Sequence, residues 1–381
     1  MKVPLLDLHR QNGPLKKEFL MAFERVLNGQ RFILGEELET FESNITSHTD
    51  CQFALGVSSG TDALLLALMA LGLKAGDEII TTPYTFFATV GAILRMGATP
   101  IFVDIDPNTF NVDPDLIEKK ITSKTKAIIV VHLFGQCCDM KKICSLAQNY
   151  NLSIVEDAAQ SIESTFLGHK AGGIGDIGCF SFFPSKNLGA LGDAGLVSTN
   201  NEEIFHKMKK IRNHGASPKY YHKFVGGNFR MDALQASFLN VKLKHLDSYI
   251  QKRIEHAAIY ESFFKDYGQK KGTEYTLKIK LPTKYSCDSK HVYNQYVIKT
   301  KKRDELKKFL SLNDIESEIY YPLPMHLQEC LANYNYAIGD FPMAEICSQT
   351  SLALPIYEGL SNQEIEYVVN KIFDFFQSDN Q

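Results

Sequence analysis

The tightest constraint on this 381-residue chain is the alternation that begins at residue 53. Short apolar runs at 53–57, 78–82, 101–104, 127–133 and 152–155 alternate with helical patterns at 61–73, 85–96, 115–121 and 139–150. Strands of four to seven residues joined by longer helical crossovers form a mostly parallel sheet, because the crossovers return each strand in the same direction and cover both faces. The fold class is therefore α/β. The run 127–131 is apolar at every position, as a strand buried on both faces must be.

Two helical patterns, 15–27 and one opening at Gly35, precede the alternation. After it come a strand at 195–199, a helix at 202–212 and a polar, aromatic loop of about 16 residues over 214–229, a length that points to a functional or partner-facing segment. Residues 231–264 read as one long helix or a bent pair. Beyond them, a strand at 294–298 and helices at 303–312 and 362–376 suggest a smaller α/β unit. We expect a large domain over 1–245 and a small one over 246–381.

Composition removes several classes of function. A formal net charge of -3 provides no basic footprint for nucleic acid and no polybasic membrane patch. The longest apolar runs are far too short to span a bilayer. The opening MKVPLLDLHRQNG has no sustained apolar core and no small-residue cleavage site, so no secretory leader is expected and the cytoplasm is the default location. Eight cysteines, at 51, 137, 138, 144, 179, 287, 330 and 347, include no CxxC pair. They read as reduced thiols rather than a disulfide framework or a zinc site.

Ligands of open α/β sheets sit beyond the carboxyl ends of the strands, and three features fall there. Ser58-Ser59-Gly60-Thr61 is a strand-to-helix turn whose free N–H groups suit a phosphate; a plain N-cap is the simpler alternative. Glu156 and Asp157 end another strand, and alternation sends only one of them into the cleft. The third is Cys179-Phe-Ser-Phe-Phe-Pro-Ser-Lys-Asn-Leu-Gly189, which presents Ser181 and a lone Lys186 on an irregular turn. Phe86 could stack on a flat ring or be an ordinary core residue. Gly172-Gly173-Ile174-Gly175 reads as a turn. A phosphate turn, a strand-end Asp and a downstream Ser/Lys pair jointly describe a pyridoxal phosphate (PLP) site.

The chain resembles the DegT–StrS family of PLP-dependent nucleotide-sugar aminotransferases, of fold type I. The resemblance rests on Ser-Ser-Gly-Thr-Asp-Ala-Leu64, Glu-Asp-Ala-Ala-Gln160, Ser-Phe-Phe-Pro-Ser-Lys-Asn-Leu-Gly189 and Gly-Asn-Phe-Arg-Met-Asp232. The opening Val-Pro-Leu-Leu-Asp-Leu8 and the late Tyr-Tyr-Pro-Leu-Pro-Met-His-Leu-Gln328 also match. It implies that Lys186 holds the cofactor covalently and moves the proton, while Asp157 keeps the pyridine nitrogen protonated. It further implies Gln160 near the phenolic oxygen, Phe86 on the ring face, and Gly60, Thr61 and Ser181 on the phosphate. Asn228 would reach that phosphate from the neighbouring subunit of a homodimer. L-Glutamate would be the donor, pyridoxamine 5'-phosphate (PMP) the intermediate form, and a UDP- or dTDP-linked keto sugar the acceptor.

His222-Lys223-Phe224, the Asn228–Asp232 stretch and the Tyr-Tyr-Pro ending are similar to the C3-aminating branch, with Lys223, Arg230, Tyr321 and His326 as expected substrate contacts. The chain departs from several dTDP-sugar enzymes of that branch, which have His-Tyr-Pro at 320–322 and Tyr at 183. C4 amination is an alternative. A sugar dehydratase on this scaffold would have histidine in place of Lys186. A non-catalytic regulator that merely keeps the fold would not need Lys186, Asp157 and the phosphate turn all intact.

Overall fold

Nine strands account for the first two-thirds of the chain in the computed structural model, which describes residues 1–271, 278–286 and 288–378; Cys287 lies outside them. They are β1 (Phe53–Val57), β2 (Glu78–Thr81), β3 (Thr99–Phe102), β4 (Thr125–Val131), β5 (Ser153–Asp157), the small hairpin β6 (Thr165–Phe166) and β7 (His169–Lys170), β8 (Ile177–Ser181) and β9 (Gly195–Thr199). Seven of them form the central sheet in the order β1-β9-β8-β5-β4-β2-β3. Five neighbours, from β3 through β8, run parallel, whereas β9 is antiparallel to both β8 and β1. The expected mostly parallel sheet is present, with one reversed strand that apolar patterning does not reveal.

Alternate residues of β4 enter different cores. Ile128 and Val130 pack in one layer with the helices Glu36–Ile45, Met140–Tyr150 and Ala233–Leu243, and Ala127 and Ile129 pack in the other with Gly60–Leu71. The helix Gly60–Leu71 buries Ala63 through Leu68 without a break, as a helix enclosed between sheet and neighbours must. Ser59 starts it, its hydroxyl accepting the Asp62 N–H at 3.1 Å, and Gly72 ends it at φ 76°.

Two local readings are refined. The helix expected at 115–121 is a pair of 3-10 turns, Pro114–Leu116 and Glu118–Lys120, because its few apolar residues do not make a stripe wide enough to bury. The 231–264 pattern resolves into two helices, Ala233–Leu243 and Leu246–Lys271.

Beyond residue 245, β10 (Ser289–Lys290) joins β6, and β11 (Tyr296–Lys299) pairs antiparallel with β12 (Ser351–Leu354). A separate core there includes Ala257, Tyr260, Tyr296, Leu306, Leu352, Val369 and Phe373. Val3 belongs to that core too, and Arg10 donates to Glu364 through two bonds of 2.8 Å, so the opening arm packs with the C-terminal part. No described helix is long and apolar enough to cross a membrane.

Glu163 ties three segments together, meeting His48 Nδ1 and Lys170 Nζ at 2.7 Å and Lys290 Nζ at 3.5 Å. Burial pushes its carboxyl up, but the bonds from His48 and Lys170 outweigh burial and bring it down to about 2. A depressed folded-state value means the tie is complete above the unfolded carboxyl range and lost as pH falls through about 2. Glu163→Gln is expected to flatten the loss of thermal stability between about pH 5 and pH 2, by roughly 2 kcal/mol after screening. Parallel acid limbs in melts of the two proteins would refute it.

Candidate active site

The carboxyl ends of β1, β2, β4, β5 and β8 converge on a cavity of about 520 Å³. Of the twelve residues picked from sequence, eight line it. The phosphate-turn residues Gly60, Thr61 and Ser181 share its wall with Asp157 and Lys186, and Phe86, Gln160 and Tyr321 complete it.

The phosphate turn is built by close backbone approach. A Cβ on Gly60 would lie 2.7 Å from the Ser181 Cβ, and one on Gly195 would lie 2.5 Å from the Ser59 carbonyl and 2.7 Å from the Gly60 nitrogen. Glycine at both places lets the ends of β1 and β8 and the start of β9 press together. That presents the first N–H groups of a 12-residue helix beside the Ser181 hydroxyl. The arrangement suits a phosphate monoester.

Glu156 and Asp157 divide as strand alternation requires. Asp157 lines the cavity; Glu156 faces the other layer, fully buried. There it accepts from His132 Nε2 at 2.8 Å and from the backbone N–H groups of Gly172 (2.8 Å), Ile174 (2.8 Å) and Gly175 (2.6 Å). Burial alone would raise the Glu156 carboxyl, and this set of donors, led by His132, holds it below its ordinary value. The Gly172–Gly175 run thus has a task that its sequence did not show: it wraps a buried charge. The His132 Nδ1 accepts the Cys138 N–H at 3.1 Å, so Nε2 is the nitrogen that donates to Glu156.

Asp157 accepts from Thr89 Oγ1 at 2.7 Å and from the Ala159 N–H at 3.3 Å. Burial pushes its carboxyl above the ordinary value, with Thr89 the first group pulling it back. Lys186 is presented by a tight turn in which its N–H donates to Phe183 O (2.9 Å) and the Ala190 N–H to Phe182 O (2.7 Å). Gly189 lies so close to Pro184 that a Cβ would meet its carbonyl oxygen at 2.3 Å. Burial brings the Lys186 amine down to about 8, with the nearby Asp157 charge pulling the other way. Near neutrality about a tenth of it is therefore the uncharged nucleophile, far more than an ordinary lysine offers.

Phe86, at the entry to the helix Phe87–Arg95, is 59% exposed and offers an open aromatic face. Gln160 is pinned by the Phe134 N–H (2.7 Å) and donates to the Tyr321 hydroxyl (3.2 Å).

Four predicted residues are elsewhere. Asn228 and Arg230 line a neighbouring polar cavity of about 310 Å³, which shares Asp193 with the main one. Lys223 is exposed on the 214–229 loop. His326 is not among the residues lining the cavity: its ring is buried against Phe341 at a centroid distance of 4.8 Å and bonded to Glu345 at 3.1 Å. Histidine is amphipathic, and here the Glu345 partner draws it inward. Sequence reasoning passed over His132, Thr85 and Thr89. The signal for His132 was its place just past a buried strand; the threonines offered only their four-residue spacing on a helix.

The model of the DegT/DnrJ/EryC1/StrS aminotransferase family matches residues 14–373. The chain belongs to this family. It is 43% identical to the "pleiotropic regulatory protein" of Geobacillus stearothermophilus, over 99% of both chains. It is 39% identical to UDP-N-acetyl-3-dehydro-alpha-D-glucosamine 3-aminotransferase of Acidithiobacillus ferrooxidans, over 97% of both. To dTDP-3-amino-3,6-dideoxy-alpha-D-galactopyranose transaminase of Aneurinibacillus thermoaerophilus it is 40% identical, over 97% of this chain and 98% of that one. Among solved structures, S. venezuelae DesV in complex with a ketimine intermediate superposes with a TM-score of 0.93 at 37% identity, covering 98% of each chain. NtdA from Bacillus subtilis with bound cofactor PMP gives 0.90 at 35% identity, covering 99% of this chain and 85% of that one. The fold is that of these aminotransferases.

Gly195→Ala is expected to force the phosphate turn apart, lowering stability by about 1–3 kcal/mol. It should also weaken binding of PLP by roughly tenfold or more, since turn and helix end would no longer be in register. Isothermal titration with PLP and a thermal melt check both; unchanged affinity would show that the turn does not hold the anion.

Proposed function

We propose that this chain is a PLP-dependent aminotransferase that moves the amino group of L-glutamate to a keto group, at C3, of a nucleotide-linked sugar, in the biosynthesis of amino sugars for cell-surface polysaccharides. One observation carries the reading: a lysine of lowered basicity, a buried carboxylate and a helix-end anion cradle share one cavity. The residues fit the cofactor chemically. Gly60, Thr61 and Ser181 would hold the phosphate, Asp157 would pair with the ring nitrogen, and Phe86 would cover a ring face. Gln160 would lie near the phenolic oxygen.

When bound, PLP supplies an electron sink for breaking the Cα–H bond of an amino acid. Lys186 would hold the cofactor between turnovers and, once displaced by substrate, carry the proton between carbon centres. Its uncharged amine fits both tasks. Because one lysine and one cavity serve donor and acceptor, the two half-reactions alternate and the kinetics are ping-pong.

Support for C3 comes from the UDP- and dTDP-sugar relatives, whose names specify 3-amino chemistry and whose identities of 39% and 40% leave both nucleotides open. The relative named as a regulator favours a sensory reading, which the intact Lys186 and Asp157 oppose. A homodimer would bring a second chain to the polar cavity of Asn228 and Arg230. Exposed apolar residues accompany that flank, Ile33 in the cavity wall and Tyr220, Tyr221 and Val225 on the 214–229 loop. Lys223 and Arg230 would then meet substrate across the interface. We also propose a division near residue 245 between a large and a small domain, and a cytoplasmic location alongside nucleotide-sugar metabolism.

Purified protein incubated with PLP is expected to absorb in the visible and to bleach with L-glutamate; no uptake of the cofactor would overturn the reading. Lys186→Ala should slow amine transfer by at least about a thousandfold while leaving the melt unchanged. A panel of UDP- and dTDP-linked 3-keto and 4-keto sugars, followed by mass spectrometry, decides ring position and nucleotide; amination of 4-keto sugars alone would refute C3.

A further inference from the structure

A helical threonine commonly turns its hydroxyl back to the carbonyl four residues earlier, and Thr89 lies in the first turn of the helix Phe87–Arg95. Thr89 does otherwise. Its Oγ1 lies 2.9 Å from the Thr85 hydroxyl and 2.7 Å from Asp157 Oδ2, on β5. Both threonines are buried. A carboxylate only accepts, so the single Thr89 proton points to Asp157, and the Thr89 oxygen in turn receives the Thr85 proton. The chain runs one way, Thr85 to Thr89 to Asp157. The other donor to Asp157 is the Ala159 N–H, at a longer 3.3 Å on Oδ1.

We propose that Thr89, held by Thr85, is a positioning residue that fixes the plane of the Asp157 carboxylate and keeps it ionised toward the cofactor's ring. The inference rests on the aminotransferase reading above. A carboxylate at this depth needs donors, because burial favours its neutral form, and a neutral carboxyl could not keep a proton on a pyridine nitrogen. The groups around Asp157 leave that work largely to Thr89. Lys186 faces it from the loop after β8; mostly charged near neutrality, it also favours the ionised carboxylate, less than the Thr89 bond does. His132 faces it from the end of β4 with its proton committed to Glu156. Tyr321 and Cys179 add unfavourable field if ionised, and both are held protonated by burial. Glu156 points into the opposite layer, satisfied by its own donors.

The position of Thr89 adds a second consequence. Thr85, Phe86 and Thr89 belong to one helix entry, so one element sets both the side chain offered to the ring face and the orientation of the carboxylate offered to the ring nitrogen. Both would move together if that entry shifted.

The test uses the PLP-loaded protein with Thr89→Val, Thr89→Ser and Thr85→Val variants. It measures the pH titration of the cofactor's visible absorbance, its retention on dialysis, and the rate of the single-turnover reaction with L-glutamate. Thr89→Val keeps the volume and loses the donor. Its rate is expected to fall about ten- to a hundredfold, the worth of one hydrogen bond to a charged group, with the spectral titration displaced from that of the parent. Thr89→Ser should recover to within about threefold, and Thr85→Val should fall between. An unchanged titration and rate in Thr89→Val would overturn the proposal. So would a Thr89→Ser protein as impaired as Thr89→Val, which would make the side chain's packing, not its hydroxyl, the contribution. A parent protein that takes up no PLP would instead overturn the aminotransferase reading itself.

Discussion

Two acidic residues in succession at the end of a fully buried strand are the constraint around which this molecule is arranged. Glu156 and Asp157 must point to opposite faces, and both are buried. Each charge therefore needs its own donors. Glu156 collects His132 and the backbone of the Gly172–Gly175 loop, which locks the end of β4 and the approach to β8 against β5. Asp157 collects Thr89 and Ala159, which fixes the entry of the helix Phe87–Arg95. Removing the partners of either would leave a buried charge unmet, a cost of several kcal/mol.

The same burial that makes Asp157 expensive makes Lys186 useful. Desolvation disfavours both charges, raising the acid and lowering the base, while their mutual attraction opposes both shifts. The outcome is a carboxylate and a partly uncharged amine in one cavity, a pairing that open solvent would abolish. The glycines around them act sterically. A Cβ would collide with backbone at Gly189 and Gly195 and with the Ser181 Cβ at Gly60, so the Lys186 turn and the strand ends close up only because those positions are bare.

Much of this was legible in the primary structure. The apolar runs from residue 53 onward placed β1, β2, β4, β5 and β9 to within a residue or two at most ends, because a strand buried on both faces has few polar positions to confuse it. The cavity-lining residues Lys186, Asp157, Ser181 and Gly60 were legible for a related reason: Asp157 and Ser181 close their strands, and Gly60 and Lys186 lie on the turns just beyond. The reversal of β9 was not, since strand direction leaves no mark on composition. Nor was the burial of His326, whose partner Glu345 is 19 residues away and meets it only through the packing of the C-terminal part.

By itself, then, the sequence determined the α/β class, the strand-end location of the chemistry and the residue types that carry it, because periodicity and turn residues are local properties. Tertiary structure alone decided which donors face each carboxylate, that Thr89 rather than a charged group orients Asp157, and how far the Lys186 amine is depressed. It also separated Asn228 and Arg230 into a cavity beside the main one. Those outcomes depend on distances between segments far apart in the chain and on the exclusion of water, and neither is encoded in any single stretch of residues.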